Sequence, residues 1–358
     1  MKTVIAPDSF KGTLSSDEVG SIIKETILNA HPDWDVLNVP VADGGEGTEE
    51  AVLKATSARK VSAEVSGPYF EKMTAEYAIS YDGSLAVMEM AACAGLPLVK
   101  GRMDPSLTTT YGVGEMVNDA LKKGVKRIYM GLGGSCTTDG GCGFAAALGV
   151  RFFNDKNELF IPTGATLKDI CRIEGIEKSI NITALCDVDN PLYGLNGASY
   201  IFGPQKGADE KMVEELDEGL RHLSSIVTRD LKTSYENNPG AGAAGGLGYG
   251  LMSFASAGFR KGIDTVLDII GFDELIKDAD LVITGEGRLD SQSFHGKVID
   301  GIIKRCKGKR VMVIAGSIEE NLECDFEIYS TLNNKRKFPE NREQAIRNLQ
   351  ETVKEIRF

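Results

Sequence analysis

The feature that most constrains this chain is the alternation of short apolar runs with amphipathic helical stretches at both of its ends. The N-terminal part has the runs TVIA (3–6) and DVLNVPV (35–41), and a helix is predicted to begin between them at a capping-box sequence, residues 15–18. The C-terminal part repeats the pattern with DLVITGEG (280–287), RVMVIAGS (310–317) and DFEIYST (325–331). Parallel strands are joined by long crossover connections, and the helical stretches between the apolar runs are long enough for this. Both ends of the chain therefore predict an α/β fold with a doubly wound parallel sheet.

The middle of the chain differs from its ends and predicts a second α/β domain. Residues 75–92 have the alternating pattern of a β-hairpin, and residues 209–227 form an amphipathic helical pattern. The helix–strand unit at 108–134 is compatible with either domain.

These patterns predict a domain built from both termini with the second domain inserted into it. We expect a discontinuous domain, residues 1–62 with 276–358, and an inserted domain, residues 63–275, with the active site in the cleft between them. A chain of 358 residues is long for one hydrophobic core, which agrees with two domains.

Seven loops share one composition, in which a strand ends and glycines follow with a carboxylate, a hydroxyl or a lysine. They are PDSFKGT (7–13), ADGGEGT (42–48), GLGGSCTTDGG (131–141), CDVDNPL (186–192), FGPQKGA (202–208), PGAGAAGGLG (239–248) and TGEGRLDSQS (284–293). Ligands of open parallel sheets bind outside the carboxyl ends of the strands, where glycine lets backbone amides approach an anion. Glycine and aspartate are also ordinary turn residues, but seven such loops together favour a ligand site.

Composition excludes several classes of protein. A formal net charge of −12 argues against a nucleic-acid partner, and no apolar run is long enough to span a membrane. The seven cysteines are scattered without C-x-x-C spacing, which predicts reduced thiols in a cytoplasmic protein and argues against a zinc site. The sequence leaves homo-oligomerisation open.

Common catalytic motifs are missing as well. The chain has neither G-x-x-x-x-G-K-[ST] nor G-x-S-x-G, which argues against a Walker-type loop and an α/β-hydrolase. GAGAAG (240–245) matches the dinucleotide pattern, but NNP precedes it where a strand is required. Of the three histidines, only His295 follows a candidate site loop.

The remaining inventory is loop carboxylates, glycine-rich backbone and a few lysines and arginines. Phosphoryl transfer needs these groups, because carboxylates hold Mg²⁺, amides and cations take phosphate oxygens, and an aspartate orients the attacking hydroxyl. The residues alone therefore predict a Mg²⁺-dependent phosphotransferase acting on a small polar substrate.

The loop motifs also resemble, in order and across essentially the whole chain, those of the bacterial type I glycerate kinase family. The motifs that carry the resemblance are APDSFKGTLS, ADGGEGT, TTTYGVGE, GLGGSCTTDGG, CDVDNPL, FGPQKGA, GAGAAGGLG and TGEGRLDSQS followed by GK. The family loop usually has GGSATNDGG, and here Cys136 and Thr138 replace its alanine and asparagine. The resemblance implies a flavodoxin-like domain with an inserted α/β domain, and transfer of the γ-phosphate of ATP, with Mg²⁺, to the 2-hydroxyl of D-glycerate, giving 2-phosphoglycerate.

Residue chemistry then gives a set of candidate roles. Asp187 and Asp189 compete for activating the hydroxyl, and Lys11 and Lys206 would neutralise phosphate or the glycerate carboxylate. The candidate Mg²⁺ ligands or their neighbours are Asp43, Glu46, Glu286 and Asp290. The candidates for binding substrate or phosphate are Asp8, Ser9, Arg102, Gly133, Gly134, Ser135, Thr137, Asp139, Gly285 and Arg288. Surface lysines and turn-capping carboxylates offer an ordinary explanation for each, and Asp139 would alternatively pin the helix that follows it.

Two rival functions stay open at this point. One is a kinase of the same build for another small hydroxy acid, and the other is a nucleotide-binding regulatory module without turnover. The number of loop carboxylates favours an enzyme.

Overall fold

The structure is a computed structural model that describes residues 1–10, 12–45, 47–175, 180–294, 297–320, 322, 324, 326–333, 336 and 338–358. The strands are β1 Lys2–Ile5, β2 Asp35–Asn38, β3 Arg59–Ser66, β4 Lys72–Ile79, β5 Leu85–Glu89, β6 Arg127–Gly131, β7 Arg151–Phe153, β8 Leu159–Phe160, β9 Arg172–Glu174, β10 Ile182–Leu185, β11 Gly258–Arg260, β12 Leu281–Leu289, β13 Arg310–Ile318 and β14 Glu327–Ser330. The helices are α1 Ser16–Ala30, α2 Thr48–Ala55, α3 Ala91–Ala94, α4 Tyr111–Lys122, α5 Cys142–Ala147, α6 Ala198–Phe202, α7 Glu210–Leu231, α8 Ala243–Ala255, α9 Gly262–Ile269, α10 Phe272–Ile276, α11 Val298–Arg305 and α12 Arg342–Glu355.

The chain divides into two compact units. The terminal unit comprises Met1–Asp43, Glu50–Ser57 and Lys261–Phe358, and the central unit comprises Gly44–Glu49 and Ala58–Arg260. All of β3 lies in the central unit, and both α9 and α10 lie in the terminal unit. The domain boundaries expected from the sequence, at 62/63 and 275/276, stay a prediction.

The terminal unit is a five-stranded parallel sheet in the order β14-β13-β12-β1-β2. Numbered within the unit, this is the order 2-1-3-4-5 of flavodoxin-like folds, so the predicted doubly wound sheet is confirmed. Successive residues of a strand point to opposite faces, and both faces are covered here. Val4 packs in a core with α9, α10 and α11, while Ile5 packs in a separate core with α1 and α12.

The first helix begins as its capping box predicts. The Ser15 amide donates to Glu18 Oε2 at 2.8 Å, and the Glu18 amide donates back to Ser15 Oγ at 3.3 Å. Two amides that no helical carbonyl can reach are thereby satisfied, which fixes where α1 starts after the loop that follows β1.

The central unit is a mixed six-stranded sheet in the order β11-β10-β6-β5-β4-β3. The antiparallel pairs β3–β4 and β4–β5 include the predicted hairpin, while β5, β6, β10 and β11 run parallel. A small antiparallel sheet, β8-β7-β9, completes the unit, and the undecided helix–strand unit at 108–134 belongs here as α4 and β6. Among the described residues no helix is long and apolar enough to cross a membrane.

Candidate active site

Three carboxylates gather in the terminal unit where β1 and β12 end, and we call Asp8, Glu286 and Asp290 the acidic cluster. Its backbone is closely packed, since the Asp8 amide donates to the Gly285 carbonyl at 2.7 Å. A side chain at Gly285 would overlap the Ile314 carbonyl of the neighbouring strand, so β12 requires glycine there. The helix after β1 packs on one face of the sheet and the helix after β12 on the other, so this edge is the topological switch point, where open α/β sheets bind ligands.

Glu286 has an unusual carboxyl group. Its side chain is buried, and this burial raises the pKa of its carboxyl to about 7, with further raising by the charges of Asp8 and Asp290. A hydrogen bond from Ser293 and the charge of Lys297 act in the opposite direction. Glu286 Oε1 has no hydrogen-bond partner among the described residues, which is unusual for a buried carboxyl oxygen.

This arrangement fits a hydrated magnesium ion better than an all-protein metal cage. No group of three or more His, Cys, Asp or Glu side chains in the described part of the chain is arranged to hold a metal. Mg²⁺ commonly takes only one or two protein carboxylates and completes its shell with waters and substrate phosphates. The partnerless Glu286 Oε1 beside Asp8 and Asp290 is compatible with that mode.

The other candidates in the terminal unit lie around this edge or outside the described residues. Ser9 donates its amide to Asp8 Oδ1 at 2.7 Å, so it closes the turn after β1. Arg288 is largely exposed, with Nε 3.9 Å from Asp290 Oδ2. Asp43 is half-buried at the end of the first segment of the unit. Three further candidates lie outside the described residues: Lys11 and His295, which fall in segments of this unit, and Glu46, which falls in the segment Gly44–Glu49 of the central unit.

In the central unit, residues 131–141 form what we call the glycine loop, at the carboxyl end of β6. Its tip, Gly133 and Gly134, is exposed, and Gly134 adopts a left-handed φ of 72° that favours glycine. Two hydrogen bonds hold the tip, from the Leu96 amide to the Gly134 carbonyl and from the Cys136 amide to the Ala94 carbonyl, both 2.9 Å. The tip can therefore offer backbone amides to an anion from a fixed position.

The second half of the glycine loop is buried and is organised by Asp139. This carboxylate is fully buried and accepts from the amide and hydroxyl of Thr110 at 2.7 and 2.8 Å, and from the amides of Gly141 and Gly143 at 3.0 and 3.2 Å. Burial raises the pKa of Asp139 despite these donors. Asp139 thus pins the start of α5, the alternative that the sequence left open, and it is shielded from ligands.

Thr137 and Lys206 are buried too. The Lys206 ammonium donates to the Thr137 carbonyl at 2.6 Å, and Lys206 is only 1% exposed. The Thr137 hydroxyl has no partner within the described residues. Ser135, next to the tip, is also largely buried.

Asp187 and Asp189 are exposed on the loop after β10, which pairs in parallel with β6. Their loop and the glycine loop therefore leave the sheet at the same edge. Arg102 is exposed, and its guanidinium stacks 3.6 Å from the centroid of the Tyr69 ring while its carbonyl accepts from the Tyr69 hydroxyl. A planar, held guanidinium suits a carboxylate or phosphate.

Sequence reasoning missed several residues that shape these sites. Thr109 and Thr110 bind Asp139, and Ser293 and Lys297 act on Glu286. The signal for the first pair lay in TTTYGVGE, whose partner Asp139 is about 30 residues away along the chain. The signal for the second pair lay in TGEGRLDSQS followed by GK, the same motif that contains Glu286.

Comparisons with known proteins identify the family of this chain. The model of the glycerate kinase family matches residues 3–357. The chain is 42% identical to a glycerate kinase of Bacillus cereus, covering 99% of this chain and 97% of that protein. It is 46% identical to the glycerate 2-kinase of Escherichia coli, covering 90% and 87%.

A solved structure extends the comparison to three dimensions. It is a crystal structure assigned as glycerate kinase 2 from Salmonella typhimurium LT2, with a TM-score of 0.83 and 42% identity, covering 99% of this chain and 95% of that one. The chain therefore belongs to the glycerate kinase family of enzymes.

Proposed function

We propose that this protein transfers the γ-phosphoryl group of ATP, with Mg²⁺, to the 2-hydroxyl of D-glycerate, giving 2-phosphoglycerate and ADP. The family match and the relative named glycerate 2-kinase support the substrate. The observation that carries the chemistry is the buried Glu286, which has a carboxyl oxygen without a partner in the described part of the chain, at the switch point of a flavodoxin-like sheet.

The acidic cluster would hold the metal. When bound, Mg²⁺ neutralises charge on the phosphate oxygens during transfer. Asp8 and Glu286 would supply oxygens for it, and Asp290 orders the turn, because its amide donates to Ser293 Oγ at 3.0 Å. Lys297 lies close enough to act on the charge of Glu286 and would balance the cluster before the ligand arrives.

The tip of the glycine loop and Arg102 would receive anionic groups. The exposed amides of Gly133 and Gly134 are placed for phosphate or carboxylate oxygens. Arg102 is held by Tyr69 before any ligand binds, so less side-chain freedom is lost when it pairs with the glycerate carboxylate. Asp187 or Asp189 would accept the proton of the attacking hydroxyl.

A coupled assay tests the proposal. ADP release is measured with ATP, Mg²⁺ and D-glycerate, and the product is passed to enolase without a phosphoglycerate mutase. We expect ADP release and immediate enolase turnover, because only the 2-phosphate is an enolase substrate. ADP release with enolase turnover only after mutase is added would move the phosphate to the 3-hydroxyl. Release with tartronate or L-glycerate but not with D-glycerate would replace the substrate, and nucleotide binding without turnover would favour a regulatory module.

We also place the enzyme in the cytoplasm. All seven cysteines are free thiols, and four of them are buried. A reducing compartment keeps thiols in this state.

A further inference from the structure

Lys206 has an unusual environment in the central unit. A lysine ammonium is almost never fully buried unless it is paired, yet Lys206 is 1% exposed and bonds only to the Thr137 carbonyl among the described residues. Burial lowers the pKa of its ammonium to about 8, although the charges of Cys136 and Asp139 oppose this. A charged ammonium group at this position is therefore unfavourable for the folded state.

The backbone around Lys206 places its side chain inside the unit. Lys206 ends a one-turn 3₁₀ helix, Pro204–Lys206, that is followed by Gly207 with a left-handed φ of 98°. A Cβ at Gly207 would stand 2.8 Å from the Met103 carbonyl oxygen, so the chain passes too close to its neighbour for any side chain there. This close packing leaves Lys206 little freedom to point elsewhere.

The Thr137 carbonyl is also enclosed on a second side, by α8. A side chain at Gly245 would overlap the Thr137 carbonyl, and the Gly140 amide donates to the Gly245 carbonyl at 3.1 Å. A Cβ at Gly246 would stand 2.8 Å from Gly140 Cα. The motif GAGAAGGLG is therefore a glycine surface against which the glycine loop packs, which explains its spacing without a dinucleotide.

We propose that Lys206 is a positioning residue of the glycine loop. Its ammonium holds the Thr137 carbonyl inward against the Gly245 surface and so sets the backbone of the exposed tip, Gly133 and Gly134, that receives an anionic group of the substrates. Lys206 itself touches no substrate. The identity of the anion rests on the proposed function, but the role of Lys206 in the loop does not.

Because Lys206 is buried, its role in positioning the glycine loop can be distinguished by experiment from a role in stability alone. Methionine keeps most of the length and volume of the lysine stem without the buried charge, so Lys206→Met removes an unfavourable burial along with one hydrogen bond. We expect the thermal midpoint of Lys206→Met to equal or exceed that of the unsubstituted protein. The loop, in contrast, loses the contact that orients it.

The test combines hydrogen exchange with kinetics on the full chain. In Lys206→Met we expect amide exchange in residues 131–141 to become at least tenfold faster, while exchange in β12 and β13 is unchanged. We expect kcat/KM to fall at least tenfold, through a raised KM for the one substrate whose anion meets the tip. Lys211→Met, which removes a largely exposed lysine on α7, is the matched control and leaves both readouts unchanged.

A second variant covers the case in which Lys206→Met does not fold. Lys206→Gln removes the charge and keeps an N–H donor on a shorter stem. Its rate of amide exchange in residues 131–141 should therefore lie between the rate of the unsubstituted protein and the rate of a chain without the donor. Unchanged exchange in a folded Lys206 variant overturns the inference, and so does a lowered thermal midpoint with unchanged kcat/KM. Exchange needs no turnover, so faster exchange in a chain that does not phosphorylate glycerate would support the loop role and refute only the proposed function.

Discussion

At the scale of single residues, the hydrogen-bond partners of buried side chains separate those that act on ligands from those that act on the protein. Asp139 was a candidate ligand group, but it is fully buried with at least four donors around one carboxylate. Glu286 is also buried, but one of its oxygens has no partner within the described residues. Satisfied polar groups hold a fold, whereas an unsatisfied one at a sheet edge suggests a ligand.

Glu286→Gln should remove a pH dependence of stability. The pKa of Glu286 rises from 4.5 to about 7 on folding, so the folded state binds more protons between these values and its stability falls as pH rises through them. Glutamine mimics the neutral acid, so the variant should gain on the order of 2–3 kcal/mol over the unsubstituted protein between pH 4.5 and pH 8. Urea unfolding in EDTA measures this gain. Glu64→Gln, at an exposed position on β3, is the control, and parallel pH curves for Glu286→Gln and the unsubstituted protein would refute the assignment.

The two exposed aspartates after β10 should have unequal effects on turnover. If one of them accepts the hydroxyl proton, its change to asparagine should lower kcat by about 10²- to 10⁴-fold, and the other change should have a much smaller effect. Steady-state kinetics of Asp187→Asn and Asp189→Asn decide this, with Asp155→Asn in the exposed loop after β7 as control. Two variants with unaltered kcat would show that neither residue is the base.

At the scale of elements, the loops are placed by how helices begin and how strands pair. The capping box of α1 limits the loop after β1, and the parallel pairing of β6 with β10 brings two polar loops to one edge. Helix starts were predictable because capping is local in sequence. The contact of α8 with the glycine loop was not, since Gly245 and Thr137 are distant along the chain.

Ser15→Ala should destabilise the terminal unit by about 1 kcal/mol. The change removes the oxygen that accepts from the Glu18 amide, so an N-terminal amide of α1 loses its partner. The loss is measured as a shift of the urea midpoint. Ser225→Ala on α7, whose hydroxyl donates to the carbonyl of His222 one turn earlier in the same helix, should change the midpoint much less. An equal effect of the two changes would contradict the importance of the cap.

At the scale of the whole molecule, the two units differ in how the order of their strands in the sheet relates to the order along the chain. The terminal unit gathers strands from both ends of the chain into a parallel sheet, while the central unit begins with antiparallel strands that are neighbours in sequence. The α/β class was predictable because both patterns are visible along the sequence. The boundaries of the compact units depend on packing, which periodicity does not record.

Ligand binding should raise the stability of the whole molecule by mass action. A ligand present at 100 times its Kd adds about 2.7 kcal/mol to the free energy of unfolding. We expect thermal unfolding to shift upward with D-glycerate together with Mg²⁺ and ADP. D-lactate, which keeps the configuration at C2 but lacks the 3-hydroxyl, should give a smaller shift at the same concentration. Equal shifts for the two acids would argue against glycerate as the substrate.

The sequence by itself determined the α/β class, the start of α1, the glycine-rich loops and the resemblance to glycerate kinases, because periodicity, capping and motif spacing are local or ordered along the chain. Only the tertiary structure decided which loop residues are exposed. It buried Lys206, Thr137 and Asp139, left Gly133 and Gly134 at the surface, and brought Glu286 beside Asp8. Burial and pairing across long sequence distances arise from packing, and the same residue types in the same motif can therefore face a ligand or hold the loop that does.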